Sequence, residues 1–490
     1  MVRFHHLSLT RLYRYISYLI YLSIFFILCV KLGYRSTENE IRDLSEIELE
    51  EHNGLVLPIK TQNVSLTINL SKQNCPNNRI SNPSLDDVRS IFYNLNTAKC
   101  VRNANGLKFR INFVVLVMVH NRAEYLQFLI ESITNQRSRQ HLNETLVVFS
   151  HDVYDEEVFN KIEEITTFKV LQIGFPFSQQ IFPNSFPGSS DNDCPRDITK
   201  DQALQEGCLN ADHPDSYGHY REAKYAAIKH HWWWKLNYVM NYVMSLHEKT
   251  EGVDVPVLLI EEDHYLTPDA IQFLDEITSL KKSLCPKCLF TQLGDYSKLK
   301  GNSMMNSIQK FFKSVLGIAP KEPQWNKLRI DQYLSNRNNM GIIIDKAAFE
   351  KLTSKECAEV FCKYDDYNWD WSINAQSRQC SSAGEGGMAS SFLTLVPHIP
   401  RIFHTGICGV HKNINRQQMK SAQCSPRAAI RDFLNKYSLA LKDDSSQRDY
   451  SLSNNVQTAH RTQKKFKPNG GWGDPRDHKF CLEMVAKNRM

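Results

Sequence analysis

Val257-Leu258-Leu259-Ile260-Glu261-Glu262-Asp263 is an apolar run that ends abruptly in three consecutive carboxylates. A short apolar stretch bounded by turn signals reads as a strand buried on both faces, as in a parallel sheet. The three acids then stand outside the carboxyl end of that strand, where open α/β sheets bind their ligands. Hard divalent cations such as Mg²⁺ and Mn²⁺ take one or two carboxylates together with substrate phosphates. A solvated acidic loop would have the same composition, so the rest of the chain must choose between the two.

On the N-terminal side of this run, strand-like and helix-like segments alternate. Phe113 to Val119 reads as a buried strand, and Glu124 to Thr134 has apolar residues at helical spacing. Leu146 to Ser150 and Val170 to Gly174 read as strands, with a helix over Glu156 to Ile165 between them and a long helix within Tyr217 to Met244 beyond. Successive βα units predict an α/β fold with a Rossmann-like, mostly parallel sheet flanked by helices. No GxGxxG or GxxxxGK[ST] follows any of these strands, so both common backbone cradles for phosphate are missing. A metal ion on the acids would have to hold a phosphate instead.

The N-terminal region indicates a compartment. Tyr15 to Val30 is uncharged and apolar or aromatic almost throughout, and follows Arg3, Arg11 and Arg14. With its flanking residues it reaches the ~17–25 residues that span a bilayer, and the Lys/Arg tally keeps the N-terminus cytoplasmic. Cys29-Val30-Lys31 offers no small-residue cleavage site. These features predict a cytoplasmic tail at 1–11, a transmembrane signal anchor at 12–34 and a polar lumenal stem at 35–80. A large α/β domain at 81–440 and a polar C-terminal extension at 441–490, its end tied back to the body by Cys481, follow. Of 13 cysteines, all but Cys29 fall on the lumenal side, an even number suited to disulfides. Asn63, Asn69 and Asn143 head N-glycosylation sequons. Cys285, Cys288, Cys357 and Cys362 could be drawn as a zinc site, but reduced thiols do not suit an oxidising lumen and no second CxxC exists. A net charge of +6 without a basic, aromatic-interleaved stripe gives no indication of nucleic acid as a partner, and none is expected.

Two further clusters carry chemistry. Asp365, Asp366 and Asp370 lie among Tyr364, Tyr367, Trp369 and Trp371, carboxylates between aromatic faces of the kind that stack on sugars. The plain alternative for Asp365 and Asp366 is capping of a helix. His404 sits on the apolar segment Ile402-Phe403, where a histidine is ordinarily a satisfied core residue. Adjacent helical residues point about 100° apart, so His230, His231 and Trp232 to Trp234 cannot all face one site, and the tryptophans read as core.

VHNR (119–122), FSHD (149–152), CPRD (194–197), GHYREAK (218–224), KHHWWWKL (229–236), EEDHYL (261–266), YDDYNWDW (364–371) and PRIFH (400–404) stand in this order. Together they resemble the Golgi α-1,6-mannosyl-glycoprotein 2-β-N-acetylglucosaminyltransferase family over roughly residues 85 to 425, and eight motifs are far more specific than one. The resemblance implies a GT-A fold and an inverting transferase moving GlcNAc from UDP-GlcNAc, with Mn²⁺, to the 2-hydroxyl of the α-1,6-arm mannose of N-glycans. It implies Asp263 and His404 as metal ligands and Asp370 as the base. Donor contacts would come from His120, Asn121, Arg122, Asp152 and Glu261, with Glu262 structural. Trp369 would line the acceptor site. Arg196, Asp215 and Tyr296 would read the GlcNAc already present on the α-1,3 arm of the acceptor. The implied disulfides are Cys194–Cys208, Cys285–Cys288, Cys357–Cys380, Cys362–Cys481 and Cys408–Cys424, leaving Cys75 and Cys100 for each other. The implied location is the Golgi membrane, type II, with room for a homodimer through the stem. The chain departs from the family at a Ser/Gly-rich stretch between Trp371 and Phe392 and in its long polar tail. A catalytically silent sugar-binding protein on the same fold is the rival reading, opposed by the presence of Asp263, Asp370 and His404. A lumenal metallohydrolase is opposed by the lack of HExxH.

Overall fold

The computed structural model describes residues 66–69, 75, 79–104, 108–247, 254–294, 327–332, 340–380, 392–406, 426–436, 450–452 and 468–487. The expected anchor, Asn63, Tyr296, the Ser/Gly-rich 381–391, Cys408 and Cys424 lie outside the described residues. Among the described residues no helix is long and apolar enough to cross a membrane.

Among the described residues, nine strands form one sheet. In chain order they are β3 (Phe113–Val119), β4 (Thr145–His151), β5 (Lys169–Gly174), β6 (Val257–Glu261), β8 (Cys288–Gln292), β9 (Lys327–Gln332), β10 (Ile342–Ile344), β11 (Leu393–Pro397) and β13 (Ser451–Leu452). Across the sheet the order is β13-β9-β11-β8-β10-β6-β3-β4-β5. The half that begins at β6 is parallel throughout, with β6, β4 and β5 running with β3. In the other half β10 lies antiparallel between β6 and β8, and β9 antiparallel to β11, while β11–β8 and β13–β9 are parallel. The sheet is therefore mostly parallel, and the all-apolar β3 lies buried inside its parallel half.

Strand alternation divides the core in two. Val114 and Leu116 of β3 join Leu146, Leu171 and Leu259 in the cluster on one face, while Val115 and Val117 join Val147, Val170 and Ile260 on the other. The first face is covered by helix α6 (Ala223–His247), which contributes Trp232, Trp233, Trp234 and Leu236. The three tryptophans are therefore core residues, as their helical spacing suggested. The second face is covered by α2 (Ala123–Thr134), α4 (Glu156–Glu163) and α7 (Ala270–Leu284) through Leu126, Leu129, Val158, Ile162, Phe273 and Leu274. Fully burying an aliphatic or aromatic side chain contributes about 1.5–3 kcal/mol relative to exposure. A sheet with both faces covered is correspondingly rigid at its strand ends.

Two regions read as polar appendages carry structure. Within the expected stem, β1 (Leu66–Asn69) pairs antiparallel with β2 (Lys108–Ile111), so the sequon residue Asn69 lies opposite Lys108. Asn143, the third sequon residue, is exposed at the end of the short helix α3 (Arg139–Asn143). In the expected extension, β13 joins the sheet edge beside β9, and α12 (Pro475–Lys487) packs on the body. Disulfides join Cys75 to Cys100, Cys194 to Cys208, Cys285 to Cys288 and Cys362 to Cys481. The expected Cys357–Cys380 bond is not formed. Both are buried free thiols in hydrogen-bond contact, and burial followed by the neighbouring sulfur pushes the Cys380 thiol well up. Cys357, on the helix Lys355–Lys363, and Cys380, just past the helix Trp369–Gln379, pack as small apolar side chains in the core.

Candidate active site

The site lies at the carboxyl ends of β6, β3 and β4, which are neighbours in the sheet. The backbone beyond β3 turns into α2, placing Arg122 at the turn. Its guanidinium donates to Glu262 at 2.5 Å and to Asp263 Oδ2 at 2.6 Å. Glu262 is 1% exposed and accepts a second bond from the His120 amide at 2.8 Å, so it locks the two loops together. The His120 ring bonds both oxygens of Asp152, past the end of β4, at 2.8 Å. The Asp152 carboxylate pushes the imidazole up to about 9. Asn121, between them, is exposed on the loop.

His404 reaches this cluster by a route invisible to local pattern. The strand β7 (His264–Leu266) follows the acidic triplet and pairs antiparallel with β12 (Ile402–His404), with His404 opposite His264. Thr405 then ties down the Asp263 carbonyl through its amide and its hydroxyl, both at 2.8 Å. His404 Nε2 consequently lies 3.0 Å from Asp263 Oδ2. Burial alone would raise the Asp263 carboxyl, but Arg122 and His404 outweigh it and hold the group ionised far below the usual carboxylate range.

A divalent cation fits these residues. Asp263 Oδ1 is buried without a hydrogen-bond partner, as is His264 Nε2. Ligand atoms of Glu261, Asp263 and His264 lie within 4.8 Å of one another. A Cβ on Gly406 would come within 2.5 Å of Asp263 Oδ2 and 2.7 Å of His404 Cε1, so only glycine leaves this side of the cradle open. An ionised carboxylate beside imidazole nitrogens is a donor set suited to a divalent cation.

Lys235 was not singled out by the sequence reading. It is 1% exposed on α6 and faces Glu261 and Asp152, and burial lowers its amine to about 7 against the pull of those acids. Burial and the Asp263 charge raise Glu261. The available signal was its place six residues after Lys229 in a helix otherwise apolar there, where a lone lysine stands out. His264, adjacent to the triplet, is the other residue overlooked. His230 and His231 are structural, bonded to Asp477 and Ser150 at 2.8 Å and 2.7 Å.

Opposite the strand ends, helix α10 (Trp369–Gln379) begins with Trp369 and Asp370. Asp370 is half-buried in the first turn, and burial, with the Asp366 and Glu261 charges adding to it, raises its carboxyl to about 7. Trp369 beside it is 5% exposed, and its ring stacks on Trp232 at 4.4 Å and 6°, which fastens α10 to α6.

Arg196 and Asp215 come together around a cavity of about 320 Å³, with Glu222, Tyr225, Tyr367 and Asn469 in its wall. Asp215 accepts the amides of Tyr217 and His219 at 2.8 Å and of Gly471 at 2.6 Å. Arg196 bonds Asp197 and, at 3.1 Å, Glu222. The C-terminal segment that supplies Asn469 and Gly471 was not expected here.

The family model of N-acetylglucosaminyltransferase II (MGAT2) matches residues 89–481. The α-1,6-mannosyl-glycoprotein 2-β-N-acetylglucosaminyltransferase of Homo sapiens is 38% identical over 413 residues, covering 82% of this chain and 81% of that protein. The enzyme of the same name from Sus scrofa is 37% identical, covering 81% and 80%. Among solved structures, S. aureus TarS 1-349 in complex with UDP-GlcNAc covers 67% of this chain and 72% of its own, at 10% identity and a TM-score of 0.30, a likeness too remote to carry an argument. On the family model and on relatives matched over four fifths of their length, the chain belongs to the N-acetylglucosaminyltransferase II family.

Proposed function

We propose that this family member transfers GlcNAc from UDP-GlcNAc to the 2-hydroxyl of the α-1,6-arm mannose of an N-glycan, with inversion to a β-1,2 linkage. The observation that carries the reading is Asp370, raised to about 7 and within electrostatic reach of Glu261 at the mouth of the strand-end cluster. Inversion in one displacement requires a carboxylate that takes the acceptor's proton as the hydroxyl attacks opposite the leaving group. A base poised near neutral pH accepts that proton readily and is about half ionised at pH 7. Asp366 is unsuited to the role, because its two oxygens accept four bonds from Asn368 and Asn469.

Asp263 and His404 would hold Mn²⁺, with His264 beside them. When bound, the ion supplies a Lewis acid that neutralises charge developing on the departing diphosphate. Arg122, now on Asp263 and Glu262, and Asp152, now on His120, are the polar groups at the strand ends that would meet the nucleotide. Glu261 and Lys235 lie deeper and would orient the sugar. Arg196 and Asp215 border a second cavity large enough for a saccharide, which suits an acceptor already carrying GlcNAc on its α-1,3 arm. The apolar run from Tyr15 to Val30, the sequons and the four disulfides among the described residues support a type II protein of the Golgi membrane with its catalytic domain in the lumen.

Purified protein incubated with UDP-GlcNAc and a biantennary precursor tests the proposal. The expected result is one added GlcNAc per acceptor, dependent on Mn²⁺ and absent when the α-1,3 arm is bare. UDP binding without transfer to any glycan would instead favour the sugar-binding reading.

A further inference from the structure

We propose that Lys229 is the positioning residue for the base: its amine fixes the loop that sets the start of α10 and so aims Asp370. Lys229 is on α6, fully buried, in a helix otherwise devoted to covering the sheet. A buried amine is costly unless its hydrogen bonds are met. Here Nζ donates to the carbonyls of Tyr364 and Asp366, both at 3.0 Å, and lies 4.1 Å from the Trp472 ring centre. Two N–H groups serve two carbonyls, and the amine has them whether or not it is protonated.

The connection to Asp370 is continuous. Asp366, whose carbonyl Lys229 holds, is itself 0% exposed. Its Oδ1 accepts the backbone amide of Asn368 at 2.8 Å and the side-chain amide at 3.1 Å. Asn368 is the residue before α10, and its carbonyl accepts the Ser372 amide in the helix's first turn at 3.3 Å. Asp370 is the second residue of that helix. The other Asp366 oxygen accepts both amides of Asn469, so the C-terminal segment braces the same node from outside. No bond in this path touches the strand-end cluster, so its loss should move the base and spare the donor site. A misplacement of about 1 Å at a reacting group can cost about 10²-fold in rate.

The inference rests on the reading of Asp370 as the base. Lys229→Met keeps length and apolar contact with Trp472 but removes both donors. The charged or titratable groups facing Lys229 are Asp365, Asp366, Asp477, His230 and His478, and those facing Asp370 are Asp366 and Glu261. Full-length protein is assayed for turnover across pH, and for Mn²⁺-dependent UDP binding and its stoichiometry by calorimetry. For Lys229→Met we expect kcat at least about tenfold lower with UDP affinity and stoichiometry unchanged. The acid limb of the pH profile should move below the parent's, because a loosened Asp370 is better hydrated. Parent-like turnover and limb in the folded variant overturn the inference, as does lower turnover with an unmoved limb, which is the signature of a merely structural lysine. Should Lys229→Met not fold, Asn368→Ala decides: it cuts one bond of the path at a half-buried site, and its limb must shift in the same direction or the inference falls. Asp370→Asn, run alongside, separates the two readings. Turnover at the parent rate there removes the base itself, whereas failure of the lysine variants alone leaves the base in place.

Discussion

The strand-end wall of the site and the α10 wall facing it are built differently. Arg122, Asp152 and Glu261 to Asp263 stand at the carboxyl ends of three adjacent strands whose faces are both buried. Asp370 stands on a short helix whose start is held by Lys229 and by Asn469, 141 residues earlier and 99 residues later in the chain. The first wall inherits its rigidity from the sheet. The second has little of its own and borrows it from distant parts of the chain. Damage to the first should therefore appear as lost donor binding, and damage to the second as lost turnover or stability with donor binding retained.

The largest effect should come from the strand-end wall. Asp263→Ala removes the one carboxylate shared by Arg122 and His404, and is expected to abolish Mn²⁺-dependent UDP binding together with transfer. Titration calorimetry with UDP and Mn²⁺ checks it, and unchanged affinity would take Asp263 out of the site. Asp370→Asn, on the other wall, should lower kcat by ~10²–10⁴-fold, the usual contribution of a general base, while UDP binding stays intact. Its pH counterpart follows from sign: the base works ionised and its carboxyl is raised to about 7. Parent kcat/KM should thus fall about tenfold per unit below pH 7 and flatten above it. A limb near pH 4 would place the base elsewhere.

Trp472→Ala sharpens the contrast by attacking the borrowed rigidity. Its side chain is fully buried, and its ring nitrogen and amide bind the Cys362 carbonyl and Asp365 at 2.8 Å and 3.1 Å. Truncating a buried tryptophan costs about 3–5 kcal/mol, and chemical denaturation should read that loss. Acceptor turnover should fall further than UDP affinity in the fraction that remains folded. Equal losses would mean that the two walls are one cooperative unit.

The smallest effect concerns the His120–Asp152 pair. The imidazole's folded pKa, about 9, is above its unfolded value, so its stabilisation is complete below about 6.5 and is lost as pH rises through 9. Asp152, although burial opposes it, is lowered by His120, so its share is lost as pH falls through its folded value. His120 is nearly half exposed, which limits the pair to about 1 kcal/mol or less. The midpoint of thermal unfolding should decline between pH 6 and 9.5 more in the parent than in His120→Gln. Identical slopes would show that the pair is neutral.

Apolar runs and the acids that follow them made the strand-end wall legible, because period and burial are local properties of a sequence. The tryptophans as core were legible from their place in a helix, and Glu262 as a structural acid only from the family resemblance. The α10 wall was legible only in its residue types. That Trp369 stacks on Trp232 and so ties the start of this helix to α6 was not legible from its neighbours in the chain. The tail from Asn469 to Trp472 read as a polar extension. Its amides are nonetheless partners of Asp215, Asp365 and Asp366. Gly470 there has φ of 79°, a conformation that favours glycine and lets the segment press against Asp215.

The amino-acid sequence by itself determined the alternation of strands and helices, the acidic end of β6, the cluster of aspartates among aromatics, and a composition suited to an oxidising lumen. Each follows from spacing along the chain and from which side chains water rejects. Only the tertiary structure decided that His404 meets Asp263 across the β7–β12 pair, that Cys357 and Cys380 remain thiols, and that Lys229 and the C-terminal segment hold the start of α10. Those are relations between residues as far as 141 positions apart in the chain. They are set by which polar groups must find partners once the sheet is buried, and no local period encodes that choice.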